Sequence, residues 1–251
     1  MCGRFVSSSP PEDLAAYFGA EQTTNDHTEP NFNVAPTTDV LVVVGAEDRR
    51  LESFHWGLVP IWAKDPSVGN RMINARAETV RSKNAFKRSY AKRRCLIPAD
   101  GFYEWTKVAG HRKKQPWFIH HRDDEPFAFA GLWDLWRGPD RDGSQELRSC
   151  TILTGSPNEA MARIHDRMPV MLPPSAWERW LDPDFGDLDA LDALMVPAPA
   201  DLLVIEPVSI DVGNVRNKGS YLIEPIEGID PDGTGEPLTV DEALEERDRS
   251  T

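Results

Sequence analysis

The sequence comprises 251 residues, of which 40% are hydrophobic, and it carries a formal net charge of −13. That length allows one large domain or two small ones, and that hydrophobic content can bury a sizeable core. The three cysteines, Cys2, Cys95 and Cys150, are too few and too widely spaced for a disulfide framework or a zinc site. No apolar run is long enough to span a membrane and no signal-peptide pattern is present, so we expect a protein of the reducing cytoplasm.

The charge is unevenly distributed along the chain. The segment from Arg71 to Arg122 contains 14 Lys and Arg residues against three acids, and the remainder is strongly acidic. A basic segment in an acidic chain is typical of a nucleic-acid-binding surface, although an ordinary solvated surface gives the same pattern. Lys is scarce, with 8 Lys against 20 Arg. An acid excess with few Lys is typical of a salty cytoplasm, and we therefore expect an origin in a halophilic archaeon.

Cys2 directly follows the initiator methionine. Removal of Met1 would leave Cys2 with an α-amine and a thiol on adjacent carbons, which titrate near pH ~8 and ~8.5. An aldehyde reacts with such a 1,2-aminothiol to form an imine at the amine, and the thiol then closes a five-membered thiazolidine. The alternative is that Cys2 is merely a small second residue without a chemical role.

The first elements follow from capping and hydrophobic patterns. The residues at 9–12, Ser-Pro-Pro-Glu, predict a capping box in which Ser9 is the N-cap of a helix that ends at about Phe18, before Gly19. The polar stretch 20–38 is rich in Pro and Asn and indicates a loop. Two apolar runs predict paired strands at Asp39–Gly45 and Leu51–Trp56.

The remaining elements follow from alternation and helical spacing. Further strands are predicted to follow the run Arg93–Pro98 and to cover Phe102–Trp105, Pro116–His121, Phe127–Trp133, Leu147–Leu153 and Leu202–Val208. Helices are predicted late in Arg71–Tyr90 and at Pro157–Ile164, Pro174–Leu181 and Leu188–Met195, with a polar loop at Arg137–Gln145.

Four side chains are candidates for chemistry or recognition. Trp56 and Trp62 bracket a Gly and a Pro, which favours burial of Trp56 and leaves Trp62 open between packing and base stacking. Glu104 is flanked by three aromatic residues, so desolvation would raise its pKa toward the acid/base range, unless it faces outward from its strand. His165 lies at a polar junction, and the other histidines have no metal-site spacing.

Together these motifs resemble those of the SRAP (SOS response-associated peptidase) family, whose bacterial and human members are abasic-site processing proteins that crosslink to DNA. The motifs occur in the family's order and cover residues 1 to about 225. They are Met1–Phe5, Asn33–Pro36, Trp56–Gly57 with Trp62, Ile73–Thr79, Arg94–Trp105, His165–Pro169, Val208–Ser209 and Val212–Val215.

The resemblance implies a mechanism in which Cys2 captures the ring-opened aldehyde of an abasic site in single-stranded DNA as a thiazolidine crosslink. It implies that Asn74 holds the reacting groups and that Glu104 shuttles protons at the Cys2 amine and thiol. His165 would act as acid/base in opening the sugar and reversing the imine. Lyase activity by β-elimination is a natural side reaction, and the peptidase activity would be self-removal of Met1.

The resemblance also implies how DNA is bound. Arg4, Arg76 and Arg167 would bind phosphates that flank the abasic site, and Trp62 and Asn33 would shape the path of the strand. It implies no cofactor and no metal. We expect a monomer whose partner is single-stranded DNA and which is associated with the nucleoid in the cytoplasm.

Many short strands with turn signals predict a single α+β domain with a curved antiparallel or barrel-like sheet core and peripheral helices. We place the SRAP domain at residues 1–223. The following residues, 224–251, form an acidic tail of low apolar content that is predicted to be loosely ordered or disordered.

Other functions share parts of this pattern. Class II glutamine amidotransferases also begin Met-Cys-Gly, and Arg137–Asp140 matches one of their motifs, but it lies late in the chain and no Asn-Gly pair is present for an oxyanion hole. A non-catalytic DNA-binding module with an inert Cys2 is a second alternative. A dedicated N-terminal-Cys peptidase or amidohydrolase is a third.

Overall fold

The computed structural model describes residues 2–24, 29–107, 113–139 and 145–226. In these ranges the strands are β1 (Phe5–Ser7), β2 (Glu21–Gln22), β3 (Asn31–Val34), β4 (Asp39–Val44), β5 (Arg50–Trp56), β6 (Asn74–Arg76), β7 (Arg94–Ala99), β8 (Gly101–Lys107), β9 (Lys114–His121), β10 (Phe127–Trp136), β11 (Leu147–Gly155), β12 (Met168–Pro169) and β13 (Leu203–Pro207). The α-helices are α1 (Pro11–Phe18), α2 (Lys87–Lys92), α3 (Pro174–Leu181) and α4 (Leu188–Asp192). Short 3-10 turns lie at Pro66–Arg71, Ala77–Thr79, Met161–Arg163, Ala200–Leu202, Ile210–Gly213 and Ser220–Ile223.

The strands form two sheets. In the first, β5, β4, β7, β10 and β11 pair in that order, and a parallel pairing of Ser149 with His55 and of Cys150 with Trp56 closes them into a ring. The second sheet has the order β13-β9-β8-β1-β3 and its strand pairs are antiparallel. The prediction of a single α+β domain with a barrel-like sheet core and peripheral helices is therefore confirmed.

The core is divided by the alternation of side chains along the strands. On β4, Val40, Val42 and Val44 belong to the apolar cluster that both sheets share. Leu41 and Val43 point the other way and belong to the cluster that contains the buried residues of α1 and α3. Because successive strand residues face opposite sides, a strand that is buried on both faces reads as the continuous apolar run seen here.

The predicted capping box at the start of α1 is wrong. Pro10 precedes the helix without a side-chain cap, and the Ser9 hydroxyl instead donates to Asp100 Oδ1 at 2.6 Å. The backbone N–H groups of Ser8 and Ser9 donate to Asp100 Oδ2. The carboxylate thus draws both serines away from the helix and fixes the N-terminal segment beside β8. The predicted helix end is confirmed, because Gly19 adopts a left-handed conformation with φ 60°.

The predicted loop at 20–38 is also partly wrong, since Asn31–Val34 forms β3 and pairs with β1. Neither short strand shows alternation over enough residues to be recognised locally. The helix predicted at Pro157–Ile164 is only the 3-10 turn at Met161–Arg163, and the one at Leu188–Met195 ends at Asp192.

The predicted strands that correspond to β4, β5, β8 to β11 and β13, and the predicted helix α3, are confirmed within a few residues at their ends. The run Arg93–Pro98, which was predicted to lead into a strand, itself forms β7, and the helix predicted late in Arg71–Tyr90 is only the short α2. Trp56 is fully buried, as expected. Residues 227–251, which contain nearly all of the predicted acidic tail, and 140–144 in the predicted polar loop lie outside the described residues. Among the helices that the structure describes, none has the length and apolar character needed to cross a bilayer.

Gly57 makes the turn that follows β5. Its φ is +143°, and a Cβ there would lie 2.7 Å from the backbone oxygen of Gly69. A Cβ on Gly69 would in turn lie 2.5 Å from the oxygen of Gly57. The two backbones therefore approach so closely that only glycine fits, which explains the Gly of the Trp56–Gly57 motif physically.

We predict that Gly57→Ala lowers the free energy of unfolding by about 2 kcal/mol or more, because it adds both backbone strain and a clash with rigid backbone. Urea unfolding followed by circular dichroism measures this. Gly186→Ala is the matched control, since its Cβ would meet only the Asp184 oxygen at 3.9 Å. Equal losses in the two variants would contradict the interpretation.

Candidate active site

Cys2 lies immediately before β1 and is fully buried within the apolar cluster between the sheets. Its Sγ lies 3.9 Å from the carbonyl oxygen of Arg4, which is a weak contact for a thiol. Burial, and secondly the negative charge of Glu104, raise the pKa of the Cys2 thiol well above its usual range. The sulfur is therefore held as a protonated thiol at neutral pH.

Asn74 connects the N-terminal segment to the barrel sheet. It begins β6, which pairs in parallel with β11 and places Asn74 opposite Ile152. Its Nδ2 donates a hydrogen bond of 2.7 Å to the carbonyl oxygen of Cys2. Its Oδ1 is buried and accepts no hydrogen bond from the part of the chain that the structure describes. A buried amide oxygen without a donor is costly and is typical of a site that receives a ligand donor.

Glu104 lies on β8 and is only 3% exposed. Burial raises the pKa of this carboxyl, and His165 opposes part of that rise when its ring is protonated. The expectation of a desolvated carboxyl with a raised pKa is therefore confirmed, and the outward-facing alternative is wrong. A carboxyl with a raised pKa can both donate and accept a proton near neutral pH.

His165 lies between the Met161–Arg163 turn and β12. Its Nε2 is 4.0 Å from Glu104 Oε2. On the other side of the ring, Nδ1 lies 2.8 Å from Asp166 Oδ1 and accepts the backbone N–H of Arg167 at 3.0 Å. The His165 imidazole thus lies between the Glu104 carboxyl and the residues that follow His165, Asp166 and Arg167.

The four predicted catalytic residues come together although they are far apart in the sequence. Cys2 precedes β1, Asn74 is on β6, Glu104 is on β8, and His165 is in the loop before β12. The site offers an amide next to the Cys2 backbone and a carboxyl–imidazole pair beside it. This arrangement can support addition to a carbonyl group and the proton transfers that accompany it.

Arg4 is half-buried and is bonded to Asn33, which is fully buried. Arg4 Nη1 donates to Asn33 Oδ1 at 2.6 Å and to the Val212 carbonyl at 2.9 Å, and burial lowers the Arg4 pKa. The Asn33 side chain is fully buried, and its Nδ2 donates to the carbonyl oxygens of Val212, Asn214 and Asn217. Asn33 therefore fixes the loop at 212–217, and in this structure it has no surface with which to contact DNA.

Arg76 and Arg167 differ in their surroundings. Arg76 is exposed at the end of β6. Arg167 instead donates two hydrogen bonds to Glu78, at 2.6 and 2.9 Å, and a third to the Thr154 carbonyl. The hydrogen bonds from Arg167 hold the pKa of Glu78 below its usual range. The charge of Arg167 is thus already matched by a carboxylate.

Trp62 is 51% exposed on a tightly held segment. The Val59 and Ile61 N–H groups donate to Ser149 and Asp134, and the Ala63 carbonyl accepts from the Trp136 indole. These anchoring side chains are buried. The Trp62 ring therefore stands out from a fixed backbone. It borders a cavity of about 340 Å³ lined by Ala63, Lys64, Asp65, Ser67, Val68 and Arg71.

The comparisons with known proteins agree with this architecture. A family model described as SOS response associated peptidase (SRAP) matches residues 1–215. The chain belongs to the SRAP family. It is 40% identical over 226 residues to the abasic site processing protein YoqW of Bacillus subtilis, which covers 89% of this chain and 99% of the relative.

Other relatives of the SRAP family are similar over most of the chain. The abasic site processing protein YedK of Escherichia coli is 33% identical over 234 residues, 90% of this chain and 100% of the relative. HMCES of Xenopus tropicalis, another abasic site processing protein, is 30% identical over 86% of this chain and 76% of the relative. The crystal structure of a protein from Bacteroides thetaiotaomicron has a TM-score of 0.80 at 22% identity, covering 89% of this chain and 99% of its own, which supports the fold.

The basic segment of this SRAP protein is only partly a surface feature. Arg94 is buried and donates to the carbonyls of Tyr90 and Ala91 in α2 and of Trp180 and Asp182 at the end of α3. This arrangement caps two helix C-termini, where a positive charge is favourable. Its neighbour Arg93 pairs with the buried Asp134. The charges of Arg93 and Arg94 are therefore directed toward partners within the protein, whereas the sequence pattern suggested a basic surface.

Sequence reasoning did not assign roles to Glu78, Asp100 or Asp134. Glu78 lies within the SRAP motif at 73–79, so its place in that motif was the available signal. The roles of Asp100 and Asp134 depend on contacts with distant backbone and have no local signal. Among the residues that the structure describes, no cluster of three or more His, Cys, Asp and Glu side chains could bind a metal. Arg137, in the motif shared with amidotransferases, pairs with Glu146 at the surface.

The raised pKa of Glu104 leads to a prediction about stability. The folded state holds the Glu104 proton more tightly than the unfolded chain does, so ionising Glu104 costs folding energy. This cost is absent below the unfolded pKa of about 4.3 and is complete above the folded pKa. We predict that the melting temperature of Glu104→Gln, relative to wild type, rises as pH increases through this window.

Differential scanning calorimetry of both proteins between about pH 4 and about pH 8 measures the difference. Asn84→Gln, at an exposed position without a titratable group, is the control and should change the melting temperature equally at all pH values. A Glu104→Gln difference that is constant or falls with pH would contradict the assigned burial cost.

Proposed function

We propose that this protein senses and processes abasic sites in single-stranded DNA by forming a covalent crosslink through Cys2 after removal of Met1. The observation that carries the proposal is the hydrogen bond from Asn74 to the Cys2 carbonyl, with the Glu104–His165 pair beside it. The named functions of YoqW, YedK and HMCES support the same substrate.

The first step uses the α-amine of Cys2. The amine adds to the aldehyde carbon of the ring-opened sugar, and the resulting hydroxyl leaves as water to give an imine. Glu104 accepts a proton from the amine and returns one to the departing hydroxyl, which suits a carboxyl whose pKa is raised. The Oδ1 of Asn74, which accepts no hydrogen bond from the described residues, is available to accept one from the amine as it adds.

The second step uses the thiol of Cys2. Sulfur bonds to the imine carbon, the carbon–nitrogen double bond becomes single, and the thiol proton ends on nitrogen. The product is a thiazolidine, and the overall reaction releases one water. Because burial keeps the thiol protonated, Glu104 would assist by removing the proton as sulfur adds.

His165 completes the proposed site as the acid/base that opens the sugar and reverses the imine. An imine acidifies the neighbouring sugar C–H, so β-elimination that cleaves the 3′ C–O bond is a side reaction of the same intermediate. We also include self-removal of Met1 in the proposal, because the reactive amine does not exist before it.

For the DNA path, we propose that Arg76 binds a phosphate and that Trp62 stacks on a base. Arg4 and Arg167, which lie close to the site, would contribute positive charge along the DNA path. Asn33 would act indirectly, by holding the 212–217 loop. The protein would work as a monomer near the nucleoid, and its acid excess with few Lys supports origin in a salt-rich cytoplasm.

The function is tested by mixing purified protein with single-stranded DNA that carries one abasic site. We expect a shifted band that survives heating in a denaturing gel, for wild type and not for Cys2→Ala. Intact-mass analysis of the same sample should show that Met1 is absent. Undamaged DNA of the same sequence is the control for non-covalent retention.

Loss of Met1 without any heat-stable band would refute the crosslinking function and favour the peptidase or binding-module alternatives. Cys2→Ser separates the two steps, because it keeps the amine but replaces the thiol. We expect this variant to form a crosslink that borohydride is needed to trap, since an imine alone is readily hydrolysed. Stable crosslinking by Cys2→Ser would show that the thiazolidine step is not required.

We predict that Trp62→Ala slows crosslinking by about 5-fold to 100-fold, because one base-stacking contact is lost. Its thermal stability should stay close to that of wild type, since the ring is half exposed. Trp62→Phe keeps an aromatic face and should retain most of the rate. Single-turnover rates on limiting abasic DNA provide the measurement, and an equal effect of both substitutions would argue against stacking.

A further inference from the structure

Glu78 fixes the orientation of Arg167. Its carboxylate accepts two hydrogen bonds from the Arg167 guanidinium, which also donates to the carbonyl oxygen of Thr154 on β11. The Arg167 side chain is only 14% exposed. A bidentate Arg–carboxylate pair restricts orientation more strongly than a single contact does. Arg167 is therefore held between the Ala77–Thr79 turn and the barrel sheet.

The backbone of Arg167 in turn determines the proton position on His165. Two groups approach His165 Nδ1: the Arg167 N–H at 3.0 Å and the Asp166 carboxylate at 2.8 Å. The N–H requires a lone pair on Nδ1, whereas the carboxylate requires a proton there. Asp166 is 88% exposed and is easily hydrated, so its attraction is weak. The anchored Arg167 N–H therefore favours the tautomer with its proton on Nε2.

We propose that Glu78 is a positioning residue that, through Arg167, keeps the His165 proton on Nε2, where it faces Glu104 at 4.0 Å. Only the kinetic consequence of this inference rests on the proposed function. Glu78 follows shortly after Asn74, on the turn adjoining β6. One short segment would thus position both the Cys2 carbonyl and the His165 imidazole.

This role differs from simple phosphate binding by Arg167. If Arg167 acted mainly as a phosphate ligand, Glu78 would compete with DNA for the same guanidinium. Removing the Glu78 charge would then release a cation, strengthen DNA binding and speed crosslinking. If Glu78 positions His165, the same substitution loosens Arg167, allows Asp166 to draw the proton to Nδ1 and slows the reaction.

The test is Glu78→Gln, which keeps the size of the side chain but not its charge. We expect its single-turnover crosslinking rate to fall on the order of tenfold or more, because the catalytic geometry is loosened. Glu78→Asp, which keeps a carboxylate, should recover part of the rate. Long-range proton–nitrogen NMR of the histidine rings should show a shift of His165 from the Nε2–H toward the Nδ1–H tautomer. The His165 signals are assigned by comparison with His165→Gln.

Glu52→Gln is the matched control, because Glu52 also pairs with arginines, Arg50 and Arg148, but lies on β5 outside the catalytic set. It should leave both the rate and the His165 tautomer unchanged. An unchanged or faster rate for Glu78→Gln, or an unchanged tautomer, overturns the proposal. If the wild type itself forms no crosslink, the proposed function fails, while the NMR measurement still decides the role of Glu78.

Discussion

The hydrogen bond from the Asn74 amide to the Cys2 carbonyl joins two parts of the fold. Cys2 leads into β1, in the open second sheet, whereas Asn74 is on β6, which pairs with β11 of the barrel. This bond therefore fixes the chain start against the opposite sheet. A terminal residue normally has freedom to fray. Here burial of Cys2, pairing of β1 on both sides and the Asp100 contacts with the serines remove that freedom, so Cys2 is held in one geometry.

The site concentrates groups that destabilise a folded protein. A carboxyl is desolvated at Glu104, and a buried amide oxygen at Asn74 accepts no hydrogen bond from the part of the chain that the structure describes. Each would be less costly in water. The surrounding structure offsets these costs with two sheets that share one apolar cluster, and with glycines at Gly57 and Gly69 that allow close backbone contact. Desolvated carboxyls and amide oxygens without a donor are typical of catalytic sites, because a site whose polar groups are all hydrogen-bonded and solvated would have little reactivity.

The sequence motifs predicted which residues come together at the candidate site better than they predicted what each residue touches. Cys2, Asn74, Glu104 and His165 do meet, and the aromatic neighbours of Glu104 correctly indicated its burial. The carbonyl groups that accept hydrogen bonds from Asn33 Nδ2 lie about 180 residues away in the sequence. No local pattern therefore indicated that this amide would bind backbone carbonyls. The strand pairing of β1 with β3 was missed for the same reason. Long strands such as β4 could be predicted because burial on both faces requires consecutive apolar residues, and such a run is visible in the sequence.

Counting charges along the chain overstates the cations available to DNA. Arg93 and Arg94 satisfy a buried carboxylate and two helix ends, Arg4 holds Asn33 and the Val212 carbonyl, and Arg167 is paired with Glu78. Moving Arg93, Arg94 or Arg4 to a phosphate would leave buried partners unsatisfied, which costs more than a surface contact returns. Fewer cations are therefore available for counterion release on DNA binding than the sequence count suggests. In the proposed mechanism, covalent capture removes the need for tight initial binding, since a brief encounter becomes long-lived once the thiazolidine ring closes. The internal use of arginine and the buried reactive terminus are therefore compatible parts of one proposed strategy.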